Sequence, residues 1–202
     1  MKIICIGRNY VKHISELGNE MPTEPVFFLK PDTAFLRDGG DFFIPDFSEE
    51  IHYEIELVLR ICKEGKHIEP TFAGRYFDAV GVGIDFTARD IQDRQKAKGL
   101  PWEPAKAFDH SAAVGGFIPV HELPSGPLKF RLDISGKTVQ ESDSTHMIHS
   151  FERIISYVSG FITLRKGDLV FTGTPAGVGP VKPGDVLTGF LNDRKLLNIR
   201  IR

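Results

Sequence analysis

Cysteine is scarce in this chain: 202 residues hold only Cys5 and Cys62. Two thiols cannot build a disulfide framework, and each sits in an apolar run, where cysteine behaves as a small buried hydrophobe. Long hydrophobic runs are missing as well. No window approaches the ~18 apolar residues of a membrane helix. The apolar stretch in MKIICIG is too short for a signal peptide and lacks the Arg/Ser-rich character of a transit peptide. Nor is one sign of charge in excess: 25 Lys+Arg against 27 Asp+Glu leave a net charge of −2, which argues against binding nucleic acid or anionic membrane through bulk charge. Repeats and low-complexity segments are absent too. The expectation is a soluble, intracellular, cytoplasmic protein.

What is present suits one globular unit. Hydrophobic residues make up 41% and charged residues 26%, which excludes disordered and collagen-like chains. A mass of 22.6 kDa allows one domain with a sizeable core, and residues 1–202 are expected to form it. Gly and Pro, 20 and 13 in number, are spread along the chain and punctuate many short elements. Most of these read as strands: Lys2–Ile6, Val26–Leu29, Ile51–Ile61, Ala79–Phe86, Leu128–Ile134, Asp168–Phe171, Val186–Phe190 and Leu196–Ile201. Ile51–Ile61 alternates, with Ile51, Tyr53, Ile55, Leu57 and Leu59 on one face and His52, Glu54, Glu56, Val58 and Arg60 on the other. Three helices are expected: Tyr10–Leu17, with Ile14 and Leu17 on one side; Thr87–Lys98, with Thr87 as cap and Gly99 as stop; and Phe151–Phe161, with a stripe of Ile154, Ile155, Val158 and Phe161. Many strands, few helices and no regular βαβ alternation point to an α+β fold, predominantly β, with a mixed sheet.

Several residues could carry chemistry. Glu54 and Glu56, two apart on a strand, share a face; a solvated strand face accounts for them on pattern alone, and a divalent cation would offset their repulsion. Asp85, ending a strand whose Val80, Val82 and Ile84 imply burial, is the natural third ligand. Three carboxylates without Cys or His form a hard oxygen site suited to Mg²⁺, Mn²⁺ or Ca²⁺. His13 and Glu16, at i and i+3, can touch on one helix face, as an ordinary surface pair or as a base whose tautomer the glutamate fixes. The other histidines show neither HExxH nor zinc-finger spacing and read as structural or exposed. Arg89 follows Asp85 by four residues, and Gln92 lies one turn further. Lys106, in the apolar segment GLPWEPAKAFD, either covers apolar surface with its stem or meets an enolate or carboxylate. TGTPAGVGP at Thr172–Pro180 lacks the lysine and spacing of a P-loop; its amides and the Thr174 hydroxyl could hold a carboxylate.

Taken together, the segments GRNYVKHISE (Gly7–Glu16), PVFFLKP (Pro25–Pro31), HYEIEL (His52–Leu57), GIDFTARDIQ (Gly83–Gln92), KGLPWEPAKAFD (Lys98–Asp109), IISYVS (Ile154–Ser159) and TGTPAGVGPVKPGD (Thr172–Asp185) resemble the fumarylacetoacetate hydrolase family. The likeness is to its short acylpyruvase and oxaloacetate decarboxylase branch. The resemblance implies a mixed β-roll, a homodimer, and a divalent cation, Mg²⁺ first with Mn²⁺ or Ca²⁺ as alternatives, on Glu54, Glu56 and Asp85. It further implies a His13–Glu16 dyad on a lid spanning residues 10–24 with Gly18 in it, Lys106 as a catalytic cation, and Arg89, Gln92, Thr174 and Lys30 as substrate-binding residues. The implied reaction cleaves a C–C bond of a small-molecule 2-oxo acid, by hydrolysis of a 3-acylpyruvate or decarboxylation of oxaloacetate, through a pyruvate enolate. The alternatives are an isomerase or tautomerase of 2-hydroxy-dienedioate or enol-oxaloacetate, which conserves the carbon skeleton, and a non-catalytic metal- or ligand-binding domain.

Overall fold

The computed structural model describes the backbone of residues 1–16 and 21–202 and the side chains of residues 1–13 and 21–202. In chain order the elements are β1 (Ile3–Gly7), α1 (Val11–Glu16), β2 (Val26–Lys30), β3 (Phe35–Arg37), β4 (Asp41–Phe42), β5 (Ile51–Tyr53), β6 (Ile55–Ile61), α2 (Pro70–Ala73), β7 (Phe77–Asp85), β8 (Thr87–Ala88) and α3 (Arg89–Lys98). They continue with α4 (Glu103–Lys106), β9 (Ala112–Pro119), β10 (Lys129–Ile134), β11 (Lys137–Asp143), α5 (Phe151–Phe161), β12 (Leu169–Phe171), β13 (Gly179–Pro180), β14 (Val186–Leu191) and β15 (Arg194–Ile201). The expected α+β fold is found, with sheet dominant. Among the described residues no helix is long and apolar enough to cross a membrane.

A mixed seven-stranded sheet runs β2-β1-β12-β6-β7-β9-β3, and a five-stranded sheet runs β11-β10-β14-β15-β4. β13, β5 and β8 make a small third sheet. One core fills the space between the two large sheets: Ile55, Leu57, Leu59, Val80, Val82 and Ile84 meet Leu132, Leu187, Leu197 and Ile199. The other face of the seven-stranded sheet carries a second cluster, in which Val58 packs with Cys5, Ala112, Val114 and Phe171. Its close packing requires Gly83, since a Cβ there would stand 2.7 Å from the Phe171 ring and 2.8 Å from the Ala113 carbonyl. Because β6 is covered on both sides, the face holding Glu54, Glu56 and Val58 is buried, so the solvated-face reading of those glutamates does not hold.

The expected strand Ile51–Ile61 is two strands. β5 pairs with β8 and β13, β6 pairs with β7 and β12, and Glu54 is the residue between them. Thr87 does not cap α3: the capping position is Ala88, and the Thr87 hydroxyl turns inward instead. Gly99, at φ 63°, ends that helix as expected. In α5, Ser150 caps the first turn by accepting from the Arg153 amide, and Ile154, Ile155 and Val158 are buried. Phe161 leaves that stripe, being mostly exposed and packed against Phe27 and Tyr157. Cys5 is buried, Cys62 half-buried, and both are free thiols. Leu17 and Gly18, and the side chains of Ile14 and Glu16, lie outside the described residues.

Candidate active site and metal centre

Strand pairing builds the acidic centre. The β6–β7 ladder sets Glu56 opposite Gly83, and one step on the Asp85 amide donates to the Glu54 carbonyl at 2.9 Å. Glu54, Glu56 and Asp85 thereby offer ligand oxygens that lie within 4.8 Å of one another, and all three residues are buried.

Three cations lie among these carboxylates. The Lys106 ammonium, on α4, donates to Glu54 Oε2 (2.7 Å), Asp85 Oδ2 (2.8 Å) and Thr87 Oγ1 (2.6 Å), and stands 5.5 Å from the Phe28 ring centroid. Arg89, the first residue of α3, donates to Glu54 Oε1, to Gln92 Oε1 (2.5 Å) and to His52 Nδ1 (3.4 Å). Gln92 spends its carbonyl on that bond, which leaves its amide nitrogen as the group with donors to offer. Lys30 ends β2 fully buried, against Asp85 Oδ1 at 2.8 Å, Ser111 Oγ at 3.0 Å and the Lys106 carbonyl.

These contacts set the proton affinities. Burial opposes ionisation of Glu54, but the charges of Lys106, Arg89 and His13 outweigh it and hold the carboxyl well below the usual range. Burial likewise works against the Lys106 charge, and Asp85 and Glu54 outweigh it, so the ammonium is strengthened. Glu56 behaves differently. Burial, then Asp85 and Glu54, push it well above the ordinary carboxylate range, against the Gly173 amide and Lys106. Among the described residues it has no ion-pair partner, and the Gly173 amide donates to its Oε2 at 2.7 Å. A buried carboxylate left without its own cation, in an all-oxygen donor set with two others, fits a hard divalent cation.

One cleft is lined by His13, Glu54, Glu56, Asp85, Arg89, Gln92, Lys106 and Thr174. All the expected site residues with described side chains thus converge, except Lys30, which lies behind Asp85 and Lys106 as their support. His13 sits on α1 and is buried. Glu16, its expected partner, lies outside the described side chains. In the TGTPAG loop, the Gly173 amide serves the protein's own Glu56. Gly173 adopts φ +100°, and a Cβ there would meet Asn9 Cβ at 2.7 Å, so glycine alone fits.

Sequence reasoning missed Gln140, a buried residue of β11. Its Nε2 donates to Thr174 Oγ1 (3.0 Å) and to the Pro175 carbonyl (2.9 Å), while its Oε1 accepts from the Ile55 amide (3.0 Å). It ties the Glu54–Glu56 segment to the TGTPAG loop. Because the Thr174 oxygen accepts there, its hydroxyl proton is left to donate elsewhere. Nothing in the polar strand KTVQESD singles this glutamine out. Arg8, Lys96 and Trp102 also line the cleft without having been expected there.

A buried carboxylate triad with interleaved cations, at the end of a mixed sheet on an α+β fold, is an enzyme-type site whose donors suit a divalent cation. Residues 2–199 match the family described as fumarylacetoacetate (FAA) hydrolase C-terminal, and the chain belongs to that family. It is 42% identical over 184 residues to the mitochondrial oxaloacetate tautomerase FAHD1 of Bos taurus, covering 91% of this chain and 83% of that one. It is also 42% identical over 188 residues to the mitochondrial oxaloacetate decarboxylase of Dictyostelium discoideum, covering 92% and 86%. The crystal structure of fumarylpyruvate hydrolase from Pseudomonas aeruginosa in complex with Mn²⁺ and pyruvate superposes with a TM-score of 0.93 at 38% identity, over 100% of this chain and 89% of that one. The protein is an enzyme acting on carbon–carbon bonds, as its family and these relatives support.

Proposed function

We propose that the enzyme binds a short 2-oxo acid by its 1-carboxylate and 2-oxo group and cleaves the bond between C3 and C4 through a pyruvate enolate. The observation that carries this reading is the Lys106 ammonium in contact with two members of a buried carboxylate triad at the floor of the cleft. Glu54, Glu56 and Asp85 would hold Mg²⁺, or Mn²⁺ or Ca²⁺, whose bound charge supplies Lewis-acid polarisation of the 2-oxo oxygen. When the C3–C4 bond breaks, its electron pair delocalises onto that oxygen, and Lys106 stabilises the negative charge. Thr174 and Gln92 have hydrogens to donate to the 1-carboxylate. His13, with Glu16 as the partner the family resemblance gives it, moves the proton: from a water attacking the distal carbonyl of a 3-acylpyruvate, or to C3 after oxaloacetate loses CO₂.

Tautomerisation of oxaloacetate is the second reading. It is favoured by the name of the bovine relative and uses His13 for proton transfer alone. The homodimer and the cytoplasmic location belong to the same proposal; light scattering tests the first and cell fractionation the second.

The experiment measures pyruvate release from acetylpyruvate and from oxaloacetate, with Mg²⁺ and with EDTA, and follows keto–enol conversion of oxaloacetate in parallel. Metal-dependent pyruvate release supports cleavage. Conversion without release selects the tautomerase. Neither, in folded protein that binds Mg²⁺, refutes both.

A further inference from the structure

Two cations of the cleft have no part in the chemistry above. Arg8 and Lys96 both line it and are half-buried. Among the described residues neither side chain makes a hydrogen bond or an ion pair, whereas Arg89, Lys106 and Lys30 are all engaged by the protein's own carboxylates.

Both positions are built. Arg8 follows β1 with φ at 60°, a left-handed conformation that a bulky residue keeps only where its surroundings fix it. Asn9 does so. Its Nδ2 donates to the His149 and Thr172 carbonyls at 3.1 and 2.8 Å, and its Oδ1 accepts from the His149 amide at 2.8 Å. Lys96 lies four residues after Gln92 and seven after Arg89, on the same face of α3, about 10 Å along the axis from Arg89. Long helical side chains lean toward the N-terminus, which carries the Lys96 stem back toward Gln92 and the cleft. Burial, with Arg89 and Arg8 nearby, weakens the Lys96 charge, against smaller help from Asp93 and Glu54. Cations gathered in this way, with no ion pair among the described residues, are the complement of an anion.

We propose that Arg8 and Lys96 form a second anion subsite at the outer end of the cleft, which takes the distal carboxylate of a dicarboxylic 2-oxo acid. The inference rests on the reading that the inner end takes the 1-carboxylate and the 2-oxo group. Lys106 spends all three of its donors on Glu54, Asp85 and Thr87, and the Arg89 charge is already paired with Glu54, so a distal carboxylate calls for cations of its own. The space within the cleft, about 40 Å³, has room for a few water-sized groups and so for a short acid.

The test is equilibrium binding, which needs no turnover. Malate and lactate share a 2-hydroxy acid end and differ in a charged or neutral tail. Calorimetric titration of the Mg²⁺-loaded protein should show malate binding about 10- to 100-fold tighter than lactate, the size of one or two charge-assisted hydrogen bonds. In Lys96→Gln, and further in Arg8→Gln with Lys96→Gln, that gap should close through weaker malate binding, with lactate unchanged. Lys96→Arg should restore it. Lys96→Gln alters a half-buried helix position and keeps the test alive if Arg8→Gln fails to fold. Equal affinity for malate and lactate in the wild type, or a variant losing both acids alike, overturns the subsite. Absent turnover with the malate preference intact overturns the reaction assignment and leaves the subsite standing.

Discussion

Replacing Lys106 by methionine removes one charge and keeps most of the side-chain volume, so its consequences can be worked from the contacts. The ammonium loses Glu54 Oε2, Asp85 Oδ2 and Thr87 Oγ1, while Glu54 keeps Arg89 and Asp85 keeps Lys30. Breaking a buried ion pair from one side costs about 3–5 kcal/mol. With each carboxylate still paired once, the lower end applies, about 3 kcal/mol, or roughly 6–12 °C in Tm for a chain of this size. A divalent cation on the triad would bind the folded state and resupply positive charge, so saturating Mg²⁺ should narrow that gap. Turnover should not recover: losing a charge stabiliser at the developing oxyanion costs about 10²–10³ in kcat. Scanning fluorimetry with and without Mg²⁺, beside steady-state kinetics, reads all three effects, and Lys106→Arg controls for charge. A Tm within 2–3 °C of wild type without metal, or a kcat loss under tenfold in folded protein, would refute the reasoning.

Three further perturbations reach the same centre from different sides. Gly173→Ala puts a Cβ 2.7 Å from Asn9 Cβ in a left-handed backbone and displaces the amide that holds Glu56; Mg²⁺ affinity by calorimetry should fall about 10–100-fold, and an unchanged value would refute the support role. Gln140→Leu strands the buried Ile55 amide and frees the Thr174 hydroxyl; stability should drop by about 1–3 kcal/mol in denaturant titration and KM should rise more than kcat falls, whereas unchanged KM would place Thr174 away from the substrate. Glu56 is raised in the metal-free protein by burial, then by Asp85 and Glu54, so the folded state binds that proton more tightly than the unfolded chain does. Stability without metal must then fall as pH rises from about 4.3 through the raised folded value. Mg²⁺ must displace the proton, so its affinity should rise with pH over that window. Calorimetry in two buffers of different ionisation enthalpy checks this, and equal heats would count against it.

Hydrophobic alternation made the central strands legible, because β6 and β7 send odd and even residues to different cores. It failed at the margins of the sheets. β9, AAVGGFIP, opens with five small residues without alternation, and β11 is a polar strand along a sheet edge with Gln140 as its buried member. The Ser135–Gly136 turn between β10 and β11, with φ of 48° and 85°, is a hairpin signal that was available and went unread. At the site, residue type and order pointed to the carboxylates, since only hard oxygen donors suit such a centre. What they could not convey is direction. Lys30 turns inward to Asp85, the Thr87 hydroxyl meets Lys106 rather than capping α3, and Arg8 depends on one left-handed residue locked by Asn9. Each follows from contacts between elements far apart in sequence.

The charge balance of the centre joins these pieces. Once Glu56 has given up its proton, Glu54, Glu56 and Asp85 carry three negative charges, and Lys30, Arg89 and Lys106 carry three positive ones. Without those cations, three buried carboxylates could not stay ionised together. With them, a divalent cation that displaces the Glu56 proton leaves the centre about two charges positive, an unfavourable excess that a dianionic acid cancels. Cation and acid must then strengthen one another's binding, by the same factor in either direction. Mg²⁺ should therefore bind at least about fivefold tighter in saturating oxalate or malate than alone, after correction for complexation in solution. Equal Mg²⁺ affinity with and without the acid would mean that the three basic residues leave no excess for a substrate to answer. The centre would then be a metal-binding site whose cations serve the fold alone.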